Sequence, residues 1–238
     1  MTKTGVATIV GNAADTKEKL LDAAEGLFAE VGYDAVSMRD VAKQSGTLLG
    51  LITYHFKTKE ALFEEVIARR AGELNRRRRE ALARLVNPSL EEVLEAFQRP
   101  YLDLMLTGGE GWHSYGRLIA QIGQAQRWAK LSGRHFSKLG HTVISMIMEA
   151  EPQLTRPRAV HGYVHLVSVM FGVFADSGLL DIFSDGSLHS TDISAAYNSM
   201  IGFVAGGLRA LAAEESKPRV VRPKKRLRRA APSLRIAR

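Results

Sequence analysis

The chain has 238 residues, 45% of them hydrophobic, which is enough for one or two domains with a substantial core. It contains no cysteine, which excludes disulfides, thiolate zinc sites and cysteine nucleophiles together. The formal net charge is +8, but ten of the 33 Lys and Arg fall in residues 216–238, where there is no Asp or Glu, so the basic excess belongs to that tail.

No charged start followed by an apolar run opens the chain, and the weakly charged stretches around 162–175 and 193–208 fall short of the roughly 20 apolar residues of a spanning helix. The expectation is a soluble cytoplasmic protein. Residues 1–14 show no periodicity and are expected to be mobile. Asp15 and Glu18 have capping-box spacing, and Leu20, Ala24, Leu27, Phe28 and Val31 follow at helical spacing until Gly32.

Residues 37–59 read as two short helices around a tight turn. Ser37 and Asp40 form a second capping box, and Met38, Val41 and Ala42 give one apolar face. Gly46 supplies the left-handed residue that ends a helix. The next helix can start at once with Thr47 as cap and Ile52 and Phe56 turned inward. Such a pair is a helix-turn-helix, whose second helix enters the DNA major groove.

Thr58 can cap a fourth helix running to Asn87-Pro88, with Leu62, Phe63, Val66, Ile67, Leu74, Leu82 and Leu85 as its buried stripe. The run Arg76–Arg79 reads as a solvated face partly paired with Glu73 and Glu80. Ser89 and Glu92 open a fifth helix that contains Pro100 and closes at Gly108-Gly109. Further helices are expected at about 110–126, 129–150, 156–182 and 191–213. No segment alternates with period two, so the fold class is all-α, with about nine helices. Residues 216–238, with three prolines and one sign of charge, are expected to be disordered and able to lie along DNA phosphates.

The segment from Leu20 to Leu62 resembles the DNA-binding domain of the tetracycline-repressor (TetR) family of transcription regulators. Ala23, Ala24, Leu27, Phe28, Gly32, Tyr33, Val41, Ala42, Gly46, His55, Phe56, Lys59, Glu60 and Leu62 carry the resemblance. It implies a helix-turn-helix domain over 15–60 and a helical ligand-binding and dimerisation domain over 61–215. Ser37, Arg39, Thr47, Leu49, Gly50, Leu51, Thr53, Tyr54, His55 and Lys59 are the implied DNA-facing set, with His55 able to face either the groove or the core. Arg39 offers guanine a bidentate fork, and Lys59 and Tyr54 suit phosphates. The sequence departs from the family at Leu48 and Leu51, where Ser or Thr is usual, and at Thr53, where Tyr is frequent.

For the effector, Trp112, His113, Tyr115, Arg117, His141, Met146, His165, Met170 and Phe171 are aromatic, polarizable or hydrogen-bonding residues on otherwise apolar helices, suited to a largely apolar cavity. His161 and His165 stand at i,i+4 without a third ligand, so neither a metal nor any other cofactor is expected. Gly162, Ser168 and Gly172 on one late helix, and Ala195, Gly202, Ala205 and Gly206 on the other, permit close approach. By resemblance, these two helices pair with their mates in a homodimer. The function read from the sequence is a homodimeric repressor of a pseudo-palindromic operator, released by a small, mostly apolar ligand. A low-specificity architectural protein using the basic tail is the competing reading. No catalytic set is evident, and the chain is read as no enzyme.

Overall fold

The computed structural model describes residues 4–175 and 177–213, with side chains from Ala14 onward. The basic tail lies outside the described residues, as do Met1–Lys3. Among the described residues there are ten α-helices and no strand. They are α1 (Thr4–Ala35), α2 (Met38–Gln44), α3 (Leu49–Phe56), α4 (Lys59–Ala83), α5 (Leu90–Thr107), α6 (Glu110–Gly123), α7 (Ala129–Ala150), α8 (Arg156–Phe174), α9 (Leu179–Phe183) and α10 (Ile193–Ala213). A single 3-10 turn, Gln126–Trp128, precedes α7.

The first helix begins at Thr4, so Asp15 and Glu18 lie within it and do not start it. Gly32, at φ 81°, breaks α1 near its end, a conformation that costs a residue without a Cβ little. The Ser37 box forms as expected: Asp40 N donates to Ser37 Oγ at 3.2 Å, and Ser37 N donates to Asp40 Oδ2 at 2.8 Å. Gly46, at φ 66°, closes α2 in a Schellman turn, its own amide donating to Lys43 O and that of Thr47 to Ala42 O. Ile52 and Phe56 then bury against α1, α2 and α4, in one cluster with Phe28 and Phe63. The Phe28 and Phe63 rings meet edge to face at 5.0 Å.

Thr58 caps α4, accepting Ala61 N at 3.1 Å, and the helix ends at Ala83 rather than at Asn87. At 1.5 Å per residue its 25 residues form a rod of about 37 Å. The rod packs against α1 near the helix-turn-helix and against α5 and α7 farther on. The Ser89–Glu92 box starts α5, which continues through Pro100. The expected single helix over 156–182 is two: α8 stops at Phe174, and left-handed Gly178 (φ 70°) precedes the short α9. This raises the count from nine to ten. Helices α8 and α10 pack together along the far side of the body.

Candidate DNA-binding surface and effector cavity

Leu49, Gly50, Leu51, Thr53 and Tyr54 are all exposed on α3, Tyr54 at 76%. The expected cap, Thr47, does not cap it. Its hydroxyl pairs with Ser45 Oγ at 2.9 Å, and Leu48 occupies the N-cap position with no side-chain hydrogen bond. The Leu48 carbonyl accepts the Leu51 amide at 2.9 Å, but its side chain has no oxygen for the other amides of the first turn. Thr53 Oγ1 donates back to Leu49 O at 3.1 Å. His55 is half-buried, edge-on to Tyr54 at 5.2 Å, between the two orientations left open by the sequence.

Arg39 stands exposed in the first turn of α2 and has no ion pair with a described residue. The Ser37 hydroxyl is occupied, donating to Asp40 Oδ2 at 2.6 Å while it accepts from the amide. That hydroxyl and the Ser37 amide hold the Asp40 carboxyl below its usual range. Lys59 is the first residue of α4. Its Nζ lies 4.3 Å from the Tyr33 ring centroid and 3.4 Å from Asp34 O, a cation–π seat that aims the ammonium across the helix start. Burial, with Glu60 accepting the Tyr33 hydroxyl at 2.8 Å, pushes Tyr33 up to about 12, so it stays a neutral donor. Lys57, exposed at the end of α3, adds a cation that the sequence reading omitted.

A partly open cavity of about 630 Å³ lies among α4, α5, α6, α7 and α8. Of the sequence-derived ligand residues, Tyr115, His141, Met170 and Phe171 line it. Trp112 is buried outside it beside Arg70, whose Cζ sits 5.2 Å from the indole. His113 is exposed, Arg117 turns to Ser114 Oγ at 3.4 Å, Met146 is half-buried elsewhere, and His165 is exposed on α8 with His161. Among the described residues no group of three His, Cys, Asp or Glu is placed to hold a metal.

The cavity also contains residues that the sequence reading missed: Arg78, Phe97, Tyr101, Phe136 and Tyr163. Arg78 departs most from expectation. Its neighbours behave as a paired surface, with Arg76 on Glu73 and Glu80 and Arg77 on Glu73, yet Arg78 is only 3% exposed. The signal was its phase, since Arg78 falls midway between Leu74 and Leu82 on the buried stripe of α4.

The cavity and the DNA-facing domain share walls. Helix α4 carries Lys59 at one end and Leu74 and Arg78 in the cavity, 19 residues or about 28 Å apart. Helix α6 lines the cavity with Tyr115, Ile119 and Ile122, and its Gln121 Nε2 donates to Ala29 O of α1 at 3.1 Å.

On α8 and α10 the small residues divide. Gly162 and Ala205 face inward; a Cβ on Gly162 would stand 2.2 Å from Leu208, so this glycine permits the α8–α10 contact within the chain. Ser168, Gly172, Ala195, Gly202 and Gly206 are exposed, beside Val164 and Phe203.

An all-α chain with an exposed helix-turn-helix mounted on a hollow helical body has the architecture of a DNA-binding regulator. Residues 20–66 match the family of bacterial regulatory proteins called tetR, and residues 95–207 match the tetracyclin repressor-like C-terminal domain. The chain belongs to the TetR family. Among similar proteins, the HTH-type transcriptional repressor KstR2 of Mycolicibacterium smegmatis is 41% identical over 54 residues, covering 23% of this chain and 26% of that one. KstR2 of Mycobacterium tuberculosis strain H37Rv is 27% identical over 121 residues, covering 51% of this chain and 56% of its own. The match therefore spans about half or less of these relatives. Among solved structures, the regulator FadR from Bacillus subtilis in complex with stearoyl-CoA superposes with a TM-score of 0.60 at 14% identity, covering 80% of this chain and 98% of that one. The fatty acid degradation regulator FadR from Bacillus halodurans gives 0.62 at 16%, covering 82% and 96%. At such identities the likeness is one of fold.

Proposed function

We propose that the protein is a homodimeric transcription repressor that leaves its operator when a small, mostly apolar ligand fills the cavity. The observation that carries the reading is the placement of α4, which runs from the helix-turn-helix to the cavity, and of α6, which joins the cavity to α1, the helix that braces it. Ligand entry that repacks these walls changes the setting of α3. The ligand acts by as much as its affinities for the two settings differ. Family membership and the repressor names of the KstR2 relatives support the DNA-binding half; the stearoyl-CoA held by the Bacillus subtilis FadR supports the ligand half.

The dimer is proposed to form through the exposed apolar faces of α8 and α10, which leave Val164 and Phe203 in water in the single chain. Two recognition helices then meet half-sites about 34–36 Å apart on one face of the duplex. The role is regulatory rather than catalytic, and the proposed location is cytoplasmic. Among the described residues no helix is long and apolar enough to cross a membrane.

Recovery of bound fragments from sheared genomic DNA of the source organism, followed by salt-controlled competition with random DNA, tests the reading. A pseudo-palindrome preferred by about 10³-fold or more is the expected result. Equal affinity for all fragments refutes it.

A further inference from the structure

Among the described residues, Arg78 is the only Lys or Arg that is fully buried, and no described carboxylate stands within ion-pair distance. Its Nε donates to Phe97 O at 2.8 Å, its Nη2 reaches only Met170 Sδ at 3.4 Å, and its Cζ stacks 4.0 Å from the Phe97 ring centroid. A thioether is a weak acceptor, so the guanidinium is left short of partners. Beside it, the hydroxyls of Tyr101 and Tyr115 are buried with no hydrogen-bond partner, and both residues line the same cavity as Arg78. Among the described residues no Asp or Glu lines that cavity, and Arg78 is its only Lys or Arg.

We propose that the cavity takes an aliphatic carboxylate, with the head seated on Arg78, Tyr101 and Tyr115 and the hydrocarbon body among Ile119, Ile122, Phe136, Ile144, Val167 and Phe171. An isolated buried charge is expensive unless paired, and Arg matches the planar carboxylate with two parallel bonds. A neutral head would leave that charge without a counter-charge. The two phenols on the cavity wall are further donors with no described partner of their own. Burial pushes both phenols above their ordinary range, so they remain protonated donors. Burial also lowers Arg78 to about 10, which leaves it charged at neutral pH. One cation with no second Lys or Arg beside it suits a single negative charge better than a phosphate monoester.

This inference rests on the cavity being the effector site, and the two can fail separately. Calorimetric titration of the full-length protein compares decanoate, decanol and decylammonium, which share a chain and differ in head charge. The expected order is decanoate tighter than decanol by about tenfold or more, with decylammonium weakest. Arg78→Met should remove the preference and leave decanol affinity within about twofold. Tyr101→Phe, which deletes only a hydroxyl, should cost decanoate about three- to tenfold and decanol less, because a hydrogen bond to a charged head is the stronger. Equal binding of acid and alcohol by the unaltered protein overturns the proposal even if Arg78→Met does not fold, as does an undiminished preference in a folded Arg78→Met. Operator binding is followed in parallel. Acid and alcohol releasing DNA equally would sink the carboxylate assignment and leave ligand-responsive repression standing. Arg78-dependent decanoate binding that never alters operator affinity would do the reverse.

Discussion

Arg70 of α4 holds Glu25 of α1 in a two-pronged grip, Nε to Oε1 at 2.9 Å and Nη2 to Oε2 at 2.7 Å. Glu25 is 2% exposed, and Arg69 adds a third bond to it at 3.0 Å. The pair ties the helix that braces the DNA-facing domain to the rod that reaches the cavity. Gly111 on α6 makes room for it, since a Cβ there would stand 2.0 Å from Arg70 Nη2.

The first prediction follows from that geometry. Arg70→Met leaves Glu25 with Arg69 alone and should cost about 1.5–3 kcal/mol, the range for hydrogen bonds to charged groups. Glu25→Leu leaves Arg70 without its buried counter-charge, while Arg69 keeps Glu18 and Asp22, and should cost about 3 kcal/mol. Urea denaturation of both variants measures this. A loss below about 0.5 kcal/mol in each would mean that the pair does not couple the two helices.

How far the sequence could be read is shown by particular residues. Ser37, Gly46, Thr58 and Ser89 each carry a local signal, an oxygen at a helix start or a freely left-handed residue, and each acts where the pattern placed it. Leu48 has no such signal, so Thr47 looked like the cap although its hydroxyl is taken by Ser45. Helix α8 stops at Phe174 and left-handed Gly178 opens α9, within a stretch whose composition still reads as one helix. The ligand residues were the hardest to read. Residue type on α6 and α7 does not say which face meets the hollow, so Tyr115 and His141 line it while His113 and Met146 do not. Arg78 was hidden by its company, a run of arginines in which only the helical phase marks one as buried.

The proposed DNA contacts make a second prediction. Arg39 is exposed on α2 with no carboxylate partner among the described residues, whereas the Lys59 ammonium is stacked over Tyr33 at the start of α4. Arg39→Ala should relax specificity at one base pair and cost about 1–3 kcal/mol on the operator. Lys59→Ala should weaken operator and random DNA alike and lower the salt slope by about one unit. Titrations on both DNAs at several salt concentrations separate the two. An equal loss on operator and random DNA for Arg39→Ala removes it from the base-reading set.

The dimer face makes a third. Val164 is 53% exposed and Phe203 is 72% exposed, so a carboxylate at either site meets water in the single chain. Val164→Glu with Phe203→Glu should therefore keep the helical signal and the melting behaviour of the isolated fold while shifting sedimentation to the monomer. Operator affinity should fall with it, because one half-site cannot hold what two hold together. A variant that sediments as a dimer places the interface elsewhere.

Gly50 makes the last. It lies in the first turn of α3 without a positive φ, and a Cβ built on it meets no described atom within 4 Å beyond its own turn of helix. Within a helix, Gly is less favourable than Ala by about 0.5–1 kcal/mol, so nothing inside the protein accounts for glycine here. A partner surface approaching the backbone does account for it, and α3 is the helix placed to enter the groove. Gly50→Ala should raise stability toward denaturant by about that 0.5–1 kcal/mol. Operator affinity should fall by about tenfold or more, since a methyl group held against DNA forces the helix outward. The pairing of a gain in stability with a loss in binding is what marks a surface shaped for its partner rather than for its own fold. If Gly50→Ala gains stability and binds the operator as tightly as before, the DNA does not approach α3 at this turn, and the helix must dock through Thr53, Tyr54 and the residues beyond.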